Sequence, residues 1–174
     1  MLTQFTTYRI LRAFFDSPTH KFQLRELCRL TNLGLPTVKN HVGKLVEAGL
    51  VKKQKNGVYD GYVATMTLNF KIYKRMDLQL RLHKSGLLDF LEHNLVPDAV
   101  VLFGSASRGE DVENSDIDLL VVATEKTLNL TSFEKKLKRK ISIHFEPEPT
   151  KLPKELLNTI VNGVVILGDL EVFQ

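Results

Sequence analysis

One cysteine, Cys28, is all that the 174 residues contain. A single thiol excludes an internal disulfide framework and fits a reducing compartment, so a cytoplasmic location is expected. Cys28 falls in an amphipathic helical pattern, where a small core residue is its ordinary role. No apolar run is long enough to cross a bilayer and the start of the chain carries no signal-peptide pattern, so no membrane partner is expected. His20, His41, His83 and His93 have no metal-site spacing. Internal repeats, low-complexity segments and a Pro/Gly/Ser-rich linker are all missing as well.

Acidic residues are scarce in the first half. Met1 to Arg75 carry 13 Lys and Arg against 4 Asp and Glu, and the remaining residues carry 11 against 16. The overall charge of +4 therefore hides a basic half joined to an acidic one. Such a division points to two domains with different partners, the first of them a polyanion.

The basic half reads as three short helices and a hairpin. Tyr8, Ile10, Leu11, Phe14 and Phe15 recur at helical spacing over residues 3–15, and Phe22, Leu24, Leu27, Cys28 and Leu30 do so over 22–30. A third helix starts at Leu35-Pro36-Thr37, with proline suited to its first turn, and ends before Gly49. Beyond it, Asn56-Gly57 between two strand-like runs is a strong hairpin signal. The phrase Thr37-Val38-x-x-His41-Val42-x-x-Leu45-x-x-Ala48-Gly49-Leu50-Val51 resembles the recognition helix and wing entry of winged helix-turn-helix regulators. The resemblance implies a double-stranded DNA partner. Thr37, Lys39, Asn40 and Lys44 would reach bases and phosphates, and Lys52, Lys53 and Lys55 would contact the backbone. A homodimer matched to a symmetric site is the corresponding expectation.

Residues 65–76 join the halves, with Lys71, Lys74 and Arg75 extending the basic surface, and residues 77–94 read as one amphipathic helix. An apolar run, Val100 to Phe103, then ends abruptly in Gly104-Ser105. After a polar loop, Asp116 and Asp118 alternate with aliphatics in Ser115-Asp116-Ile117-Asp118-Leu119-Leu120-Val121-Val122. Side chains on a strand repeat with period two, so both aspartates are expected on one face. Carboxylates on such an apolar strand need a partner, and Mg²⁺ is the natural one. Gly104 allows a sharp turn, Ser105 supplies a hydroxyl, and a short helix starting there would direct N–H groups at an anion. Together these residues describe a nucleoside triphosphate site.

The run Gly104-Ser105-x-x-Arg108-Gly109, followed by Ser115-Asp116-Ile117-Asp118-Leu119, resembles the signature of the polymerase-beta-like nucleotidyltransferases. It looks most like their minimal archaeal and bacterial forms, which carry alanine where this chain has Ser107. The resemblance covers about residues 77–170 and implies phosphate binding by Gly104 and Ser105 and Mg²⁺ binding by Asp116 and Asp118. Arg108 matches the family's arginine, which orients the loop or a phosphate. Family members use a third carboxylate on a neighbouring strand to activate the attacking hydroxyl, and the minimal forms often act beside a helical toxin-like partner protein. On the strand 141–145 that position holds Ser142 or His144. Three outcomes follow: Glu146 moves in as the third catalytic carboxylate, His144 substitutes, or the domain binds nucleotide without efficient transfer. The expected fold is α+β, with a winged helix-turn-helix over residues 1–70. A small nucleotidyltransferase-fold α/β domain with a mixed sheet follows over 71–174. Function divides between a DNA-binding nucleotidyltransferase and a regulator whose degenerate transferase domain senses nucleotide or binds a partner protein.

Overall fold

A computed structural model describes residues 5–56 and 59–172. The chain divides into two compact units, Met1–Lys74 and Arg75–Gln174. Among the described residues no helix is long and apolar enough to cross a membrane.

In the first unit, helices α1 (Thr6–Asp16), α2 (Leu24–Thr31) and α3 (Leu35–Glu47) precede strands β1 (Val51–Asn56) and β2 (Tyr59–Ala64). The helices meet because each carries one apolar stripe: Ile10, Phe14, Leu27, Val38, Val42 and Leu45 are all buried in a single core. Phe14 and Phe22 meet edge to face at 5.0 Å between ring centroids, as do Phe15 and Phe70 at 5.2 Å. β1 and β2 pair antiparallel from Val51↔Ala64 to Asn56↔Tyr59. The turn residues Gly57 and Val58 lie outside the described residues. Between α1 and α2, Phe22 exchanges both backbone hydrogen bonds with Tyr62, each 2.8 Å, which adds one residue of a third strand to the hairpin.

Residues 65–76, where one unit gives way to the other, are helical from Leu68 onward. Helix α4 runs from Leu68 to Ser85, and α5 from Leu87 to Leu95. The single helix expected over 77–94 is thus two helices, broken at Gly86, which adopts φ 81°, a conformation that costs glycine little. Phe70, Lys74, Asp77, Leu78 and Leu82 are buried on α4. Lys74 therefore does not extend the basic surface as its charge alone suggested.

The second unit is built on a four-stranded sheet of order β5-β4-β3-β6. Its strands are β3 (Ala99–Phe103), β4 (Ile117–Val121), β5 (Ile141–Phe145) and β6 (Val164–Gly168). β3 pairs antiparallel with β4 and β6, while β4 and β5 are parallel, so the sheet is mixed as expected. Short helix α6 (Gly104–Arg108) follows β3, α7 (Thr131–Leu137) precedes β5, and α8 (Lys154–Val161) precedes β6. Apart from Asp118, the central strands β3 and β4 are apolar because both their faces are covered. Val100, Leu102, Leu119 and Val121 pack with Leu82, Leu87, Leu91 and Leu137 on one face. Val101, Leu120 and Val122 pack with Leu152 and Ile160 on the other.

Candidate active site

The site lies where β3 ends. Phe103 is still extended, and Gly104 then turns at φ 71° into α6. The turn is closed by the Ser107 hydroxyl, which donates to the Gly104 carbonyl at 2.8 Å, and by Gly109 and Glu110, whose N–H groups return to Ala106 and Ser105. Phe103 pairs with Asp118 on β4. A Cβ placed on Gly104 would stand 2.5 Å from Asp118 Oδ2, closer than any contact between such atoms. The Asp118 carboxylate therefore occupies the space that only a glycine leaves open. Ser105, half-buried, presents its hydroxyl at the same turn.

Asp116 is exposed and sits one residue ahead of β4, which begins at Ile117. It still acts on Asp118. Burial, and then the Asp116 charge, push the Asp118 carboxyl above its ordinary range, while Arg139 opposes them. Two carboxylates close enough to repel one another form an all-oxygen donor pair that suits a hard divalent cation. Among the described residues no cluster of three or more His, Cys, Asp or Glu side chains could hold a metal. A pair of carboxylates matches the way Mg²⁺ is usually held, by one or two protein oxygens with substrate phosphates completing the shell.

Arg139, just past α7, holds this geometry together. Its guanidinium donates to the Ser115 carbonyl at 2.8 Å, the Asp116 carbonyl at 2.7 Å and Asp111 Oδ2 at 2.6 Å. Three donors of one planar group thus fix the loop that delivers both aspartates. By sequence, Arg139 belongs to a run of lysines resembling a solvated helix face. Its three partners lie 23, 24 and 28 residues away, beyond any local pattern.

The remaining expected site residues are dispersed. Arg108 is exposed and pairs with Glu110 at 2.9 Å. Glu146 is not brought to the aspartates. β5 aligns Ser142 with Asp118 and Phe145 with Val121, which puts Glu146 four residues along, about 13 Å away at the strand rise. Its N–H bonds the Val121 carbonyl, and its carboxylate accepts from the Glu148 N–H at 3.0 Å. The residue beside Asp118 is Ser142, and His144 pairs with the buried Leu120 further along.

In the first unit, Thr37, Lys39, Asn40 and Lys44 are exposed on α3, opposite buried Val38, Val42 and Leu45. Lys52, Lys53 and Lys55 are exposed on β1. Lys53 is held by Asp60 at 2.6 Å, and that hydrogen bond raises its pKa. His41 faces inward, hydrogen-bonded to Thr7 at 2.7 Å.

Residues 86–169 match the model of the family described as Polymerase beta, Nucleotidyltransferase. The match takes in α5 through β6 and so contains the Gly104 turn and both aspartates. It supports the resemblance over these residues and agrees, at a coarse level, with nucleotidyl transfer. No curated protein matches the chain.

Proposed function

We propose that the C-terminal unit binds a Mg²⁺–nucleoside triphosphate at Gly104, Ser105, Asp116 and Asp118 and transfers its nucleoside monophosphate to a hydroxyl. The observation that carries this reading is the Asp118 carboxylate seated against the bare Cα of Gly104, which joins a phosphate-binding turn to a metal ligand without a gap. Mg²⁺ held there would neutralise charge on the triphosphate and on the departing pyrophosphate. Gly104 and Ser105 position the phosphates, Asp116 and Asp118 place the cation, and Arg139 keeps the aspartate loop from moving as it binds. Calorimetric titration of a non-hydrolysable triphosphate with Mg²⁺ tests the site. Wild type is expected to bind, and Asp116→Asn/Asp118→Asn to lose detectable binding. Affinity should weaken as pH falls through the raised Asp118 range, where the ligand takes up a proton. No binding to wild type would sink this reading.

A second reading is favoured by Ser142 beside Asp118 and by the distance of Glu146. The domain then senses nucleotide or binds a partner protein without efficient turnover. Product formation that depends on Asp118 separates the two.

We further propose that the first unit binds duplex DNA through α3 and the hairpin. Support comes from its charge and from Gly43. This glycine lies mid-helix among Lys39, Asn40 and Lys44, yet a Cβ there would meet nothing within 4 Å. Glycine in a helix interior costs roughly 0.5–1 kcal/mol relative to alanine, with no internal packing here to require it. Close approach of a ligand backbone explains it. Gly43→Ala should thus raise the melting temperature while weakening binding to a mixed-sequence duplex at low salt. Unchanged duplex affinity would remove the argument.

A further inference from the structure

Three adjacent strands set three different chemistries in one row. Phe103, which leads into the Gly104–Ser105 turn, pairs with Asp118, and Asp118 pairs with Ser142. The strands carrying them are neighbours in the order β5-β4-β3. The phosphate-binding turn and Ser142 therefore flank Asp118 on opposite sides, each about 4.8 Å away at the ordinary strand spacing. Directly paired residues project to the same face of a sheet, so the Ser142 side chain stands beside the Asp118 carboxylate. Ser142 is exposed on the edge strand. Among the described residues none engages its hydroxyl in a hydrogen bond.

Displacement at phosphorus requires the entering and leaving oxygens to be roughly in line, on opposite sides of the atom attacked. With the β- and γ-phosphates at the Gly104–Ser105 turn and the α-phosphate over the aspartates, the opposite side belongs to β5. We propose that Ser142 is a self-modification site. Its Oγ attacks the α-phosphorus and forms an Oγ–P bond. The bond from that phosphorus to the bridging oxygen breaks, pyrophosphate leaves with the electron pair, and the hydroxyl proton passes to water. The product is a nucleoside monophosphate ester on Ser142. This proposal depends on the nucleotide reading above and names its first acceptor. The ester occupies the position from which attack came, so the reaction stops after one equivalent per chain.

The test is incubation of the full chain with Mg²⁺ and each common ribonucleoside triphosphate, labelled at the α-phosphate, followed by peptide mapping. Label on Ser142, with a burst of pyrophosphate equal to the chain concentration, is the expected result. Label should fall to background in Ser142→Ala and in Asp118→Asn. Ser142→Thr, which keeps a hydroxyl at that position, should retain it and controls for folding. If calorimetry detects nucleotide binding but no label appears, or if Ser142→Ala labels as wild type does, the self-modification is overturned and the nucleotide site stands. If wild type binds no nucleotide, both fail together.

Discussion

Gly104→Ala is expected to weaken Mg²⁺–triphosphate binding by roughly 100-fold, the upper end of what disturbing the support of a metal ligand costs. Two effects combine. The new methyl would enter the space held by Asp118 Oδ2, 2.5 Å from its position, so the carboxylate must leave the turn it serves. Alanine would also be held at φ 71°, which costs about 1–2 kcal/mol in the left-handed region. Gly49 separates the two. It adopts φ 68°, yet a Cβ there meets nothing within 4 Å. Gly49→Ala should lose similar stability and leave nucleotide affinity unchanged. Calorimetry on both variants, alongside thermal melts, reads the difference. Equal affinities for Gly104→Ala and wild type would mean that Asp118 does not need its place against the turn.

What the sequence made legible is what local chemistry determines. Asp118 sits on a strand because apolar residues surround it at the right period, and Gly104-Ser105 marks a turn because it ends an apolar run abruptly. The hairpin strands are likewise readable from the pattern around Asn56-Gly57. The hidden features depend on residues distant in the chain. Basic side chains mask the helical character of 68–76, although Phe70, Lys74 and Asp77 follow a helical period and are buried. Parity along β5 allows Glu146 as a partner for Asp118. Only the register between β4 and β5, with Ile141, Ile143 and Phe145 packed on the covered face, shows that Ser142 stands there instead.

Removing Arg139 should have the largest effect on stability. Its side chain is 12 % exposed and that of its partner Asp111 is 5 % exposed. Breaking a buried pair from one side leaves a desolvated charge behind, at a cost of about 3–5 kcal/mol. Arg139→Met should therefore lower the stability of the C-terminal unit by that amount. At roughly 4–8 °C per kcal/mol for a domain of this size, the melting temperature would drop by more than 10 °C. Arg139→Lys keeps the charge but lacks the planar fork that reaches Asp111, Ser115 and Asp116 together, so it should fall between. Arg139→Met/Asp111→Leu removes both charges and should recover part of the loss, because replacing a whole buried pair with apolar groups is often close to neutral. Nucleotide affinity should not recover with it, since the Ser115 and Asp116 carbonyls stay unclamped. The double variant thus distinguishes a residue that merely folds the loop from one that positions the aspartates. Stability and affinity restored together would show that Arg139 does no more than neutralise Asp111.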